Sequence, residues 1–582
     1  MKRWGFVGLL ALMACGPESS TRPLSRGQTC PGVVAGEVTT RQGLDSPLPS
    51  RVQGDGRQSV LIRFRRGSQT QASRVTATGA ELTRATGAKV SAVYRNIPAV
   101  AARVNALERF MLEHSPLVES IEEDQRWSSQ GLPPALTQPE GASTLGASPS
   151  DEYSEGLRLV QGPAVWDANG DGVLDPGAPT GEGVKVCVID SGLDVEHPEF
   201  QGAVVASHDF LEGDDDPTDK SEKGEWGQGH GTHVAGIIGA RLGQGGVTGP
   251  RLNAGGMVGV APGASLLIAR VLDPQGSTQM SVVFSALEWC ESQGARVLSL
   301  SLGGGSPTRN SVEAFKAALD HGMLVVAAAG NQGGPVLYPA SDPSVLAVGA
   351  VDANERRANF SSMGNALGLM APGVDVLSTF PRGLGTFAEM SVNDLVPMSR
   401  SLLYSPTGDA LGRLVDCGLG DSLDACQDAT CDGFVAYVHP GAVPVDQAMS
   451  NVMMQGARAV IFGNEDAPAG GAADILSLPR RGHWAPAVSV NQATGTVLRQ
   501  RLGTFARLSL VPVDYTYVSG TSMAAPFVSG VAALLWSAHP TLTPLQVREA
   551  MEASARDLGT PGRDPAFGHG LVHAHDALQR LQ

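Results

Sequence analysis

Residues 184–192 read Val184-Lys185-Val186-Cys187-Val188-Ile189-Asp190-Ser191-Gly192. A short apolar run without strict alternation suits a strand covered on both faces, and this one ends in an acid beside small turn residues. Runs of the same kind recur at 297–300, 324–327 and 345–348. Helical spacings lie between them. Val283, Leu287 and Cys290 share one face, and Val312, Phe315 and Leu319 share another that Gly322 closes. Strands alternating with helices predict an α/β fold, a parallel sheet with helices on both faces. In such sheets the functional edge lies at the C-terminal ends of the strands, where Asp190 stands.

Three further segments carry side chains with chemistry. Gly229-His230-Gly231-Thr232-His233 places an imidazole at a glycine-flanked helix start, and Ala329-Gly330-Asn331 ends a buried strand in a carboxamide. Gly520-Thr521-Ser522-Met523-Ala524-Ala525-Pro526 places a hydroxyl at the start of a helix rich in small residues. Taken singly, each has a plain structural reading as a cap or turn residue. Four such parts in the order acid, imidazole, carboxamide and hydroxyl outweigh the plain reading of each.

These segments, in the order Asp190, His230, Asn331, Ser522, resemble the subtilisin-like serine peptidases, or subtilases, over 157–385 and 513–582. The resemblance implies a catalytic domain over 151–385 and 513–582. It also implies an Asp190–His230–Ser522 triad forming an acyl-enzyme, with Asn331 donating to the oxyanion. His233, one helical turn from His230, reads as structural. By the same resemblance an extended protein or peptide substrate pairs with Gly276-Ser277-Thr278 and Ser301-Leu302-Gly303. Leu337, before Tyr338-Pro339-Ala340, narrows an apolar primary pocket. A catalytically silent copy that binds a partner is a rival reading, against which the intact quartet argues. Peptide-bond chemistry other than hydrolysis, such as cyclisation, is a third.

Residues 58–127 read as a small α+β unit. Val60, Ile62 and Phe64 alternate onto one strand face, Val104, Leu107 and Met111 recur at helical spacing, and 118–121 forms a final strand. The unit resembles the family's inhibitory propeptide, which implies a zymogen. Residues 128–150, with Pro133-Pro134, Pro139 and Pro149, have linker composition. The strand–helix rhythm breaks at 386–512, which has its own strands and a helix around 445–455. This segment resembles the protease-associated (PA) domain that large subtilases carry as a β-rich α/β insert.

Asp167-Ala168-Asn169-Gly170-Asp171-Gly172-Val173-Leu174-Asp175 has the spacing of a calcium loop, with side-chain oxygens at alternate positions and the Val173 carbonyl at the seventh. Ala178 replaces the closing Glu of a full EF-hand. The acidic run Asp209, Asp214, Asp215, Asp216 and Asp219 is a candidate second site, set against an exposed acidic loop. Glu199 and Asn253 match the family's strong calcium site, with Glu in place of the usual Asp. Calcium is the one cofactor expected, and no thiolate–imidazole pattern suggests zinc.

The chain has 582 residues and a net charge of −16, with no basic run, which argues against a nucleic-acid partner. Lys2-Arg3 followed by the apolar stretch 4–14 reads as a secretory signal over 1–15, too short to span a bilayer. Leu12-Met13-Ala14-Cys15 resembles a bacterial lipoprotein box, so the expected membrane contact is a lipid on Cys15. Residues 16–57 have tether composition. The protein is expected to be an exported or envelope-anchored monomer. Among Cys417, Cys426 and Cys431 one disulfide is expected, and spacing leaves the pairing open. Cys187 and Cys290 read as small core residues.

Overall fold

The computed structural model describes residues 29–30, 56–65, 72–129, 152–219, 229–245, 256–397, 399–427, 429–439, 441, 443–463, 476, 478 and 483–582. Its centre is a seven-stranded sheet in the order Leu367–Pro372, Val345–Val351, Leu324–Ala328, Val297–Leu300, Lys185–Asp190, Ser265–Arg270, Val204–Asp209. Every pairing within it is parallel. Alternate residues of strand Lys185–Asp190 enter different cores. Val186 and Val188 pack beneath helix Thr521–Ala538, while Cys187 and Ile189 pack beneath helix Met280–Ser292. Burial on both faces is why the run shows no polar alternation. Helix Thr521–Ala538 is, among the described residues, the one long and apolar enough to cross a membrane, yet it lies in the core against helix His230–Gly239.

Cys187 and Cys290 are fully buried, but they are joined in a disulfide that pins helix Met280–Ser292 to the sheet. The reading of both as small core residues agrees with their burial, and the disulfide between them is an addition that the sequence reading did not make. A half-cystine on a buried strand and a small apolar residue occupy the same kind of site, so the sequence pattern did not separate them.

Residues 58–123 form an antiparallel sheet in the order Lys89–Val93, Ala99–Val104, Gln58–Phe64, Val118–Glu123, with helices Ala72–Ala85 and Ala106–Glu113. Val60, Ile62 and Phe64 face the unit's own core, while Leu61 enters the core shared with helix Met280–Ser292. The helix near 107 differs from its expected face. Leu107 and Met111 are exposed and Leu112 is buried, because Val104 ends the preceding strand and Asn105 restarts the chain as a capping box with Glu108.

A second seven-stranded sheet contains Gly385–Val392, Phe505–Val513, Gly408–Asp416, Phe434–Val438, Ala457–Gly463, Ala487–Val490 and Arg400–Ser401. Helix Val445–Met454 packs on it. Its first and last long strands pair, with Gly385 opposite Val513, so the chain leaves the parallel-sheet unit and returns side by side. Cys417 bonds Cys426, and Cys431 bonds Cys30 from the segment read as a tether.

Candidate active site

Asp190 closes strand Lys185–Asp190, and His230 opens helix His230–Gly239. Two glycines bring them together. Gly229 has φ 71°, and a Cβ there would lie 2.6 Å from the Phe380 ring. A Cβ on Gly231 would meet the Gly192 carbonyl at 2.2 Å, so only glycine lets the helix touch the strand end. His230 Nδ1 then lies 2.7 Å from Asp190 Oδ1. Burial acts to lower the His230 pKa, but the charge and hydrogen bond of Asp190, with Asp219 beyond, prevail and raise it. A neighbouring carboxylate favours the imidazolium in this way. His233 is fully buried and bonds the carbonyls of Val376 and Thr516, and burial brings its pKa down to about 3. It is structural, as its place one turn along the helix implies.

Ser522 is the second residue of helix Thr521–Ala538. Its hydroxyl donates to the Ser301 carbonyl at 3.3 Å, and Ser301 Oγ donates back to the Ser522 carbonyl at 2.8 Å. His230 Nε2 is buried and makes no hydrogen bond, and catalytic hydrogen bonds of this kind often tighten only when substrate binds. Asn331 Oδ1 accepts from the Thr521 amide at 2.8 Å and from the Thr521 hydroxyl at 2.9 Å. This turns the NH2 end of the carboxamide away from Thr521. Leu337 packs over Gly330, the residue before Asn331.

Two segments flank this edge, and a strand lies between them. Arg126–Ser129 pairs antiparallel with Ser277–Gln279 on one side and with Leu302–Gly303 on the other. Ser129 N donates to the Gly276 carbonyl at 2.8 Å. Trp127 is fully buried, stacked on Phe315 at 6.2 Å and set edge-on to Tyr338 at 5.8 Å. The expected boundary between the small unit and its linker, 127, therefore falls inside a strand. Ser128 and Ser129 belong to linker composition, but the cleft supplies the partners that their own sequence does not advertise.

The profile of the subtilase family matches residues 181–403 and 493–570. The chain belongs to that family. It is 33% identical over 342 residues to subtilisin J of Geobacillus stearothermophilus, covering 57% of this chain and 77% of that protein. It is 36% identical over 289 residues to an alkaline protease of Shouchella clausii, covering 50% and 63%. The structure of Apa1, a psychrophilic subtilisin-like protease of Pseudoalteromonas sp. AS-11, superposes with a TM-score of 0.50 at 30% identity, covering 73% of this chain and 96% of that one. Fervidolysin of Fervidobacterium pennivorans shares the fold at 22% identity and a TM-score of 0.56, covering 97% and 65%. This subtilase is a subtilisin-like serine endopeptidase.

The acidic candidates divide. In the loop at 167–175, Asp167 accepts from the Tyr153 hydroxyl and from the amides of Asp171 and Gly172. Asn169, Asp171 and Asp175 accept the amides of Asp171, Val173 and Ala168. The loop is closed by its own amides, and among the described residues no group of three or more His, Cys, Asp or Glu forms a metal cage. The second acidic cluster is likewise unassembled. Asp209 is buried against Arg270, Asp215 faces His208, and Asp216 bonds Thr218. Asp219 is buried and accepts from the Gly229 amide at 2.6 Å and from the Ser191 hydroxyl at 2.9 Å. Ser191 in turn accepts the Gly231 amide.

Glu199 fits a cation better. Its Oε1 accepts from the Met257 amide and the Tyr515 hydroxyl, its Oε2 is buried without a hydrogen-bond partner, and burial pushes its pKa up to about 7. Asn253, its expected co-ligand, lies outside the described residues, as does Cys15.

Proposed function

We propose that Asp190, His230 and Ser522 act as the catalytic triad of this serine endopeptidase. The observation that carries the reading is the 2.7 Å contact between Asp190 Oδ1 and His230 Nδ1 at the sheet edge that also holds Ser522. With Nδ1–H given to Asp190, the neutral imidazole carries its lone pair on Nε2. Nε2 would take the Ser522 proton as the hydroxyl attacks a peptide carbonyl, then return it to the leaving amine. Asn331 would donate to the oxyanion beside the Ser522 amide. In subtilisin the loss of one such donor costs about 10²–10³ in turnover. Gly276, Ser277, Ser301, Leu302 and Gly303 would pair with the substrate backbone, and Leu337 would shape the primary pocket.

The proposed organisation is a signal at 1–15, a tether at 16–57, an inhibitory unit from 58 into the 126–129 strand, and a linker to 150. The catalytic domain of 151–385 and 513–582 carries a PA-type insert at 386–512. The strand lying between the two substrate-pairing segments supports a self-inhibited zymogen; export, on the signal pattern at 1–15, and a monomeric state are proposed with it. Structural calcium is common in subtilases; the orphaned oxygen of Glu199 supports a cation there, and the loop of Asp167, Asn169, Asp171, Val173 and Asp175 is proposed as a further site on its spacing. Bound calcium would neutralise the Glu199 carboxylate. The triad reading is tested by Ser522→Ala, which is expected to lower peptide turnover by at least about 10⁴. Retention of wild-type turnover would overturn it.

A further inference from the structure

The insert reaches the segment of the nucleophile through an arginine. Arg400 opens the short strand Arg400–Ser401, whose backbone pairs with Ser489 and Val488 inside the insert, and the Ser401 hydroxyl donates to the Thr386 carbonyl at 2.7 Å. The backbone at Arg400 is thus fixed to the insert, while its side chain leaves it. Nη1 lies 2.7 Å from Asp375 Oδ2, and the guanidinium carbon lies 4.6 Å from the centre of the Tyr517 ring. Both partners belong to the catalytic domain. Burial raises the pKa of Asp375 and the Arg400 charge opposes it, as a counter-ion to a partly buried carboxylate does.

Asp375 stands in the turn between strands Leu367–Pro372 and Val376–Thr379. Its φ of 52° lies in the left-handed region, which a residue other than glycine keeps where its surroundings hold it. Arg400 holds the carboxylate from the side of the insert. On the other side the Asp375 amide donates to Ser519 Oγ at 2.9 Å, and the Gly520 amide donates to the Gly373 carbonyl at 2.8 Å. The approach is close, since a Cβ on Gly373 would lie 2.8 Å from the Gly520 carbonyl. Strand Val376–Thr379 then pairs antiparallel with Tyr515–Val518, which carries Tyr517 and leads into Ser519. Gly520 is followed by Thr521 and Ser522. The turn therefore sets where the helix of the nucleophile begins.

We propose that Arg400 is a positioning residue for the nucleophile: through this side chain the insert braces the Asp375 turn against Ser519 and Gly520 and so holds Ser522 in place. The proposal rests on the reading of Ser522 as the nucleophile. Without the guanidinium, the Asp375 carboxylate loses its counter-ion and the Tyr517 ring loses its cation. The bonds from Asp375 to Ser519 and from Gly520 to Gly373 remain, so the helix start loosens and does not collapse. A misplaced reacting atom costs rate even where substrate still binds. The effect therefore falls on kcat and spares KM.

The test follows the reactivity of Ser522 itself, as the rate at which a small fluorophosphonate labels it at saturation, beside kcat and KM for a small peptide. The active wild type is compared with Arg400→Met, Arg400→Lys, Asp375→Asn and the double variant Arg400→Met/Asp375→Asn; Arg400→Gln replaces Arg400→Met if the latter does not fold. Arg400→Met should slow labelling and kcat together by about three- to fivefold, with KM within about twofold. Arg400→Lys keeps the counter-charge and should recover about half of the loss or more. The double variant should be no slower than the slower single variant, because Arg400 acts through Asp375. An arginine that only fastens the insert predicts a lower melting temperature with labelling and kcat unchanged. That result, losses that multiply in the double variant, a loss that lysine does not reduce, or a change confined to KM overturns the proposal and leaves the triad reading standing. A wild type labelled elsewhere than on Ser522 overturns both.

Discussion

Asp219 Oδ2 accepts the amide of Gly229 at 2.6 Å, one residue before His230. The same oxygen takes the Ser191 hydroxyl, one residue after Asp190. One buried carboxylate thus holds the backbone before His230 and the side chain after Asp190, and its charge helps to raise the His230 pKa. Asp219→Asn keeps an acceptor oxygen and removes the charge. Its kcat should fall by less than about tenfold. The acid limb of kcat/KM, which reports the free enzyme's base, should move to lower pH. A lowered kcat with an unmoved limb would mean that Asp219 acts through structure alone.

Asp124 links the small N-terminal α+β unit to helix Met280–Ser292, accepting the Ser281 amide at 2.9 Å and its hydroxyl at 2.7 Å. Burial raises its pKa to about 6, opposed by the Ser281 hydrogen bonds and assisted by Glu123; Tyr94, whose hydroxyl reaches the same Ser281, also lies close. A carboxyl whose pKa is raised by docking binds its proton more tightly in the complex, so docking strengthens as pH falls through 6. In the full chain the docked unit should open roughly tenfold less readily at pH 5 than at pH 7, read from the hydrogen-exchange protection of its amides, given that one pKa unit is about 1.36 kcal/mol. Asp124→Asn should flatten that difference. A pH dependence that survives this substitution unchanged would reject the role of the Asp124 carboxyl.

Most of this site was legible in the sequence because its parts sit where chain geometry announces them. Asp190 ends an apolar run, His230 lies between glycines, and Ser522 begins a small-residue helix. Asp219 was not legible, because in an acidic run a buried acceptor and a solvated side chain read alike. The strand Arg126–Ser129 was missed for a related reason. Its pairing partners, Ser277–Gln279 and Leu302–Gly303, lie about 150 residues or more away in the chain, and only the assembled cleft gives Trp127 a place to be buried. The disulfides show the same limit, since a pairing between Cys30 and Cys431, separated by 401 positions, leaves no local trace.

Glu199 provides a test of the cation. Its pKa of about 7 lies above the ordinary carboxylate value of about 4.3. The folded state therefore holds a proton that the unfolded state has lost, and stability falls as pH rises from about 4.3 to 7 and stays lower above. With a calcium chelator at pH 8, Glu199→Gln should be more stable than wild type by about 1–3 kcal/mol. Calcium should stabilise wild type and leave the Gln variant nearly unchanged. Equal calcium responses in thermal melts would remove the cation from this site.

The insert tests the division of labour. Gly385 pairs with Val513, so a short Gly/Ser turn can replace 386–512 without separating the junctions. Small-peptide hydrolysis by the folded deletion protein should stay within about tenfold of the active wild type, a barrier change of about 1.4 kcal/mol. Cleavage of folded proteins should change far more. Loss of small-peptide turnover in a well-folded deletion protein would place the insert in the catalytic machinery.

The central claim is that Ser522 is the nucleophile. A fluorophosphonate that phosphonylates activated serines, applied to the active enzyme and mapped by peptide mass, reads this out. One modification per active chain is expected, on Ser522, lost in His230→Ala, with activity falling in proportion to labelling. An active preparation that labels at another residue, or that is inhibited with Ser522 unmodified, would contradict it.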